Sequence, residues 1–428
     1  MRILHSSDWH LGISLGRRRL LDLQESMLLD LLTLIDRERV DVLVIAGDIY
    51  DQSVPPLEAI DLFDRFVAKL CLERGIPVVA IAGNHDSPER LSQYAALLNR
   101  AGLFISGRIA ERRVIRIGDV CFHLFPYFHA AEVRRLFPEE KIDGTEEAMQ
   151  VLVRASLADY AERQEYWQPI KKRQVDTNAL SADPFASTEC HAGWPGPSRH
   201  IAIAHCFTLN AEPSGTDRMA LLSMGGSSLI SASVFKGYDR VFLGHLHRRQ
   251  SPLPQVSYSG SPAVYAFSEI GQPKGVQIYD TETDHLTFHE LNPAVRLVQA
   301  RGSYADLCAG KGEYSGFEAT KFETAEAVTR DLIEADQYLW RLILTDQVAT
   351  LERLEHLRSI YPNLLVLESE VSRREATGAI ERRFDEQTLL TKPEEILSAF
   401  YQDSVGVPLT DLQKKAFKRA WEQAEEEV

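Results

Sequence analysis

The sequence predicts an α/β protein: a layered main domain, then a smaller α/β domain and C-terminal helices. Three observations carry this. Strand-like and helix-like stretches alternate over the first 290 residues. Several strand candidates are unbroken apolar runs, as in strands buried on both faces. Past Pro293 the texture changes to a short strand–helix–strand pattern followed by charged and helical segments.

The first strand candidates are 3–7, 42–46 and 78–82, with helical patterns at 20–38 and 57–73 between them and at 88–101 after them. Ser87 before Pro88 and Glu89 marks a helix start with Ser87 as N-cap. Further strands are expected at 120–125, 201–204, 241–243, 256–259 and 276–279, which completes a main domain over 1–290. The stretch 145–173 reads as a helix with Met149, Leu152, Val153 and Leu157 on one face. The Ser-, Pro-, Gly- and Ala-rich 174–199 reads as a loop insertion. In 291–370, strands at 339–344 and 364–367 flank a helix at 348–360. The charged 371–386 is a linker, and 387–428 holds helices. Thr391 with Glu394 and Thr410 with Gln413 are capping boxes. The last helix carries Leu412, Ala416, Phe417, Ala420 and Trp421 on one stripe.

The 428 residues are 44% hydrophobic and 25% charged, the balance of a globular protein with sizeable cores. No secretory signal and no apolar run of membrane-spanning length is visible, so a cytoplasmic location is the default. The five cysteines form no CxxC pair, which argues against a disulfide framework and against a zinc–thiolate site. A net charge of −15 counts against a nucleic-acid partner. Local basic clusters soften that: Arg17-Arg18-Arg19, Arg112-Arg113, Lys171-Lys172-Arg173 and Arg248-Arg249, of which the last directly follows two histidines.

The chemistry sits where strands end. Five apolar runs finish in metal-type ligands: "ILHSSDWH" (Asp8, His10), "LVIAGDIYD" (Asp48, Asp51), "VAIAGNHD" (Asn84, His85, Asp86), "IAIAHC" (His205) and "VFLGHLH" (His245, His247). In an extended segment residues two apart share a face, so His245 and His247 converge on one object. Taken singly, Asp8 reads as a turn residue, Asp48 as a helix cap, Asn84 as a left-handed residue and His205 as a core histidine. Five such endings together read as one metal cluster beyond the carboxyl ends of a sheet. Nitrogen and oxygen donors without thiolate suit Mn²⁺, Fe²⁺ or Mg²⁺, with Zn²⁺ as a further option. About seven ligands exceed one ion's needs but suit two ions sharing a carboxylate, for which Asp48 is the natural bridge. His5, His123, His200, His285, His289 and His356 read as structural or surface residues, while His129 and His191 stay open.

The order DxH, GD, GNHD, a lone His and GHxH resembles the calcineurin-like metallophosphoesterase superfamily, over residues 8–247. Within it, "MRILHSSDWHLG", "GDIYD" and "AGNHDSPERL" resemble the nuclease subunits of bacterial DNA end-processing complexes. The resemblance implies a two-sheet sandwich flanked by helices. It implies two Mn²⁺ ions, or Mg²⁺ in their place: one held by Asp8, His10 and His247, the other by Asn84, His205 and His245, with Asp48 bridging. His85 would face the scissile phosphate and Asp86 would orient it. Where some family members carry a second histidine after GD, this chain has Tyr50 and Asp51. Also implied are a DNA substrate, a 291–370 domain that caps the site and binds DNA, and a homodimer built from helices 57–73 and 88–101. Leu57, Ile60, Leu62, Phe63, Phe66, Leu70, Leu91, Tyr94, Leu97 and Leu98 supply apolar stripes for that dimer. No phosphate loop of the GxxxxGK[ST] type occurs, so ATP dependence would come from a coiled-coil ATPase docked on the C-terminal helices. The competing readings are a small-molecule phosphodiesterase of the same fold and a non-catalytic adaptor.

Overall fold

The computed structural model describes residues 1–16, 18–111, 114–167, 199–209, 211, 229–293, 295–316, 333, 335–371, 398, 410 and 413–414. The 174–198 insertion, the 371–386 linker beyond residue 371, the Thr391–Glu394 box and the stripe ending at Trp421 therefore lie outside the described residues. Thr410 and Gln413 do form a capping box, with Thr410 N donating to Gln413 Oε1 at 2.9 Å and Gln413 N to Thr410 Oγ1 at 3.4 Å.

Two large sheets carry the main body. The first holds β1 (Arg2–Ser6), β2 (Val42–Ala46), β3 (Val78–Ile81) and β4 (Leu103–Ser106) in parallel. The second is built on β5 (Val114–Ile117), β6 (Val120–Phe125), β7 (Gln164–Trp167), β8 (Arg199–His205), β9 (Arg240–Gly244), β10 (Gln250–Leu253) and β11 (Val256–Tyr258). Its order is β10-β11-β9-β8-β6-β5-β7, and β6, β8, β9 and β11 run parallel. The antiparallel pair β12 (Gly275–Asp280) and β13 (His285–Glu290) extends the first sheet beside β1, giving β13-β12-β1-β2-β3-β4.

The strand sequences explain the layers. Successive side chains of a strand point to opposite faces. Ile3, Val42, Val44, Val79, Ile81, Phe122, Ile201, Ile203 and Phe242 therefore form one core between the sheets. Leu4, Leu43, Ile45, Val78 and Ala80 face outward, under α1 (Leu21–Glu38) and α2 (Leu57–Ala68). Ala202, Ala204, Val241 and Leu243 face the other way, toward Met149, Leu152 and Val153 of α3 (Thr145–Arg163). The result is the two-sheet sandwich flanked by helices.

Several boundaries differ from expectation. The 57–73 helix is α only to Ala68, continues as a π-turn over Lys69–Arg74 and stops at Gly75 with φ 68°. The 88–101 helix is two pieces, Pro88–Leu91 and Ala95–Ala101, because Tyr94 takes a left-handed φ of 61°. Ser87 caps the first piece as expected. The 145–173 helix gives way at Gln164 to an edge strand beside β5. Strands β4, β5, β10 and β13 are additional to those expected; they are short or carry polar residues, so they lack the long apolar run that exposes a buried strand.

By internal contacts the chain divides into two compact units. One comprises Met1–Gln299, Tyr314–Arg341 and Tyr361–Val366; the other comprises Ala300–Glu313, Leu342–Ile360 and Leu367–Val428. A four-stranded sheet contains β14 (Arg296–Gly302), β15 (Glu313–Ser315), β16 (Tyr338–Leu344) and β17 (Leu364–Ser369) in the order β15-β14-β16-β17, with α4 (Leu351–Ile360) between the last two in sequence. No described helix is long and apolar enough to cross a membrane.

Candidate metal centre

Five parallel strands of the two sheets release their chains at one edge, and the predicted ligands lie at or just past those ends. Asp8 and His10 follow β1, Asp48 follows β2, Asn84 follows β3, His205 closes β8, and His245 and His247 follow β9. The first two loops are zipped together by Asp8 N to Gly47 O at 3.1 Å and His10 N to Asp48 O at 3.0 Å. The turns are tight enough to force positive φ on non-glycine residues: Asp8 55°, His10 43°, Asp48 51° and His245 103°. Such backbone costs about 1–3 kcal/mol per residue and persists where the surroundings enforce it. Two glycines permit the close approach. A Cβ on Gly47 would stand 2.3 Å from His205 Nδ1, and one on Gly83 would stand 2.1 Å from Asp48 Oδ1.

The seven predicted ligands converge. His10 Nε2 is 3.1 Å from His247 Nε2, and donor atoms of Asp8, His10 and His247 all lie within 4.8 Å of one another. Asn84 Oδ1 is 2.9 Å from both His205 Nε2 and His245 Nδ1. Asp48 stands between these groups, its Oδ2 3.6 Å from His10 Nε2 and 3.4 Å from His205 Nε2. Its Oδ1 accepts from His85 N at 2.9 Å. Asp8 accepts from His245 N at 3.0 Å and from Ser7 Oγ at 2.6 Å. Partners behind the ligands set their tautomers. His205 Nδ1 is 2.9 Å from Ala46 O and so donates there, leaving Nε2 as the lone-pair nitrogen.

The calcineurin-like phosphoesterase family matches residues 1–249. The chain belongs to that family. Among curated relatives it is similar to the SbcD subunit of nuclease SbcCD from Staphylococcus saprophyticus subsp. saprophyticus, 28% identical over 424 residues that cover 98% of this chain and 97% of the relative. The protein of the same name from Staphylococcus epidermidis is 27% identical over 425 residues, with coverage of 98% and 97%. The crystal structure of TT1561 of Thermus thermophilus matches at a TM-score of 0.36 and 14% identity, over 68% of this chain and 99% of that one.

A divalent-metal requirement fits both this phosphoesterase family and the donor set. Asp8 and Asp48 are 0% and 2% exposed. Among the described residues neither has a Lys or Arg ion-pair partner, so their buried charge calls for a cation from elsewhere. Burial works to raise Asp48, but the charges of His205, His10 and His85 outweigh it and hold the carboxyl well below its usual range. The same contact lifts His205 to about 9 against its own burial. His245 falls to about 3, through burial and the neighbouring His205. A proton on His205 thus occupies the electrostatic role a divalent ion would take.

One expectation is corrected. Asp86, expected to orient His85, instead accepts on its carboxylate from three backbone N–H groups: Ile49 at 3.1 Å, Tyr50 at 2.9 Å and Gly83 at 2.9 Å. It ties the second and third strand-end loops together. Burial and the charge of Asp48 push its acid up to about 6, against those three donors. His85 is held by Asp51 instead, Nδ1 to the backbone O at 2.8 Å. Asp51 also brings Oδ1 to 3.4 Å from His10 Nδ1. Glu269, whose Oε1 lies 2.8 Å from His247 Nδ1, is a functional residue that sequence reasoning missed; nothing in its local sequence marks it. His129, left open, heads a short helix, its N–H bonded to Glu132 Oε2 at 3.3 Å. Of the basic clusters, Arg18 and Arg19 pair with Asp22 and Glu58, and Arg249 lies 4.3 Å over the Phe288 ring.

Proposed function

We propose that this chain is the nuclease subunit of a DNA end-processing complex, hydrolysing phosphodiester bonds as a double-strand 3′–5′ exonuclease and a hairpin endonuclease. The observation that carries this is the convergence of seven nitrogen and oxygen ligands around Asp48, in a chain similar along nearly its whole length to proteins named as the SbcD subunit of nuclease SbcCD. Asp8, His10 and His247 hold one Mn²⁺ and Asn84, His205 and His245 the other, with Asp48 shared; Mg²⁺ is the alternative ion. Two such ions, when bound, neutralise charge that develops on the phosphate and supply a nucleophile at neutral pH.

The side chains do the rest. His85 has Nδ1 committed to the Asp51 carbonyl, so Nε2 is the nitrogen that carries or releases a proton at the leaving oxygen. Asp86 keeps the loops bearing Asp48 and His85 in register. Residues 291–370 cap the site and guide DNA, 371–386 link to helices at 387–428, and those helices dock an SbcC-type coiled-coil ATPase. A homodimer forms through helices 57–73 and 88–101, where Leu57, Ile60, Tyr94 and Leu97 are exposed. The protein works in the cytoplasm at the nucleoid.

The test is cleavage of an end-labelled DNA hairpin by the purified chain with Mn²⁺, beside Asp48→Asn and an EDTA control. Mn²⁺-dependent cutting that Asp48→Asn abolishes supports the reading. A chain that leaves DNA intact with and without its ATPase, yet cleaves a chromogenic diester, refutes it.

A further inference from the structure

We propose that Glu269 and Lys274 form a buried clamp that fixes both ends of His247, making them positioning residues for one of the two metal positions. Both lie beyond residue 249, where the family match ends. Glu269 is 0% exposed and Lys274 5%, and their charges meet at 3.1 Å. A buried ion pair is weak evidence for stability, because desolvation offsets most of the attraction. Its geometry points to another use. Glu269 turns Oε1 to His247 Nδ1 at 2.8 Å and takes Tyr265 N on Oε2 at 3.1 Å. Lys274 Nζ donates to the His247 backbone O at 2.7 Å and to Ser261 Oγ at 2.8 Å. The ring of His247 is therefore held through Glu269 and its main chain through Lys274.

The consequence is chemical. With Nδ1–H donated to a carboxylate, neutral His247 keeps its lone pair on Nε2, the atom 3.1 Å from His10 Nε2 and turned into the ligand cluster. The carboxylate also makes that imidazole a better donor. Burial would raise the Glu269 acid, but the His247 hydrogen bond and the Lys274 charge outweigh it and keep it ionised. The histidines of the other metal position differ at this atom: His205 Nδ1 faces a backbone carbonyl, and His245 Nδ1 faces Asn84. The clamp is specific to the position built from Asp8, His10 and His247.

This inference rests on the dinuclear reading above, and the experiment separates the two. Metal-free protein is titrated with Mn²⁺ and bound ion counted by electron paramagnetic resonance. Wild type, Glu269→Gln and the charge-neutral pair Glu269→Gln with Lys274→Met are compared, the pair avoiding an orphaned buried lysine. Wild type is expected to bind two ions, and each variant to lose about 10–100-fold in affinity at one position while keeping the other. In parallel, imidazole ¹H–¹⁵N spectra of histidine-labelled, metal-free protein should show His247 as the Nδ1–H tautomer in wild type and as a mixture in Glu269→Ala. A wild type that does not bind two ions defeats the dinuclear reading. Two unchanged affinities in the charge-neutral pair, equal weakening at both positions, or an unaltered tautomer in Glu269→Ala overturns the clamp.

Discussion

Nε2 of His205 lies 3.4 Å from Oδ2 of Asp48, and the two residues come from different sheets. Asp48 follows a strand of the first sheet and His205 closes a strand of the second, so their contact measures how closely the carboxyl edges of the sandwich are drawn together. The reactive geometry depends on that seam.

Asp48 is the group most exposed to substitution at the seam. Asp48→Asn keeps an oxygen for the His85 N–H but removes the charge both halves of the site share. Phosphodiester hydrolysis should fall about a thousandfold or more, near 4 kcal/mol of barrier. Circular dichroism and the melting temperature of the metal-free protein should change little. Residual activity within tenfold of wild type would show that Asp48 is not the shared ligand.

His85 has a different role, so its loss should look different. His85→Gln should lower turnover by about 10²–10⁴-fold while leaving the Mn²⁺ content of the purified protein unaltered. Elemental analysis beside single-turnover kinetics decides it. Departure of the metals would move His85 into the ligand set.

The pH response follows from His205. Asp48 holds its proton up to about 9, above the ordinary 6.5. A raised folded pKa stabilises the protein fully below 6.5, and that stabilisation fades as pH rises through 9. A divalent ion must displace the proton, so metal affinity rises across the same window. Melting temperatures of EDTA-treated and Mn²⁺-saturated protein should diverge progressively from about pH 6.5 to about pH 9. A constant gap would exclude His205 as a ligand.

The exposed apolar residues of the 57–73 and 88–101 segments make a separate prediction. Leu57 and Leu97 are 80% and 67% exposed, so replacing both with Asp costs little in folding. Light scattering should show a dimeric wild type and a monomeric Leu57→Asp/Leu97→Asp variant with the same melting temperature. A variant that stays dimeric places the interface elsewhere.

What the sequence by itself determined is the sandwich and its ligands, because both are local. An apolar run that alternates inward and outward faces defines a buried strand, and a ligand just past its end must appear at the sheet edge. That is why Asp8, His10, Asp48, Asn84, His205, His245 and His247 can be named together. Contacts between distant segments are invisible at that level. Asp86 reads as a partner of its neighbour His85, yet it satisfies backbone N–H groups of a loop 36 and 37 residues away. Glu269 meets His247 from 22 residues downstream. Which apolar residues of 57–73 are core (Leu62, Phe63, Phe66, Leu70) and which are surface (Leu57, Ile60) was settled only by packing against the sheet. Side-chain periodicity is written along the chain; the pairing of a buried charge with a backbone amide or a remote ring exists only once the strands are assembled, and the tertiary structure alone decided it.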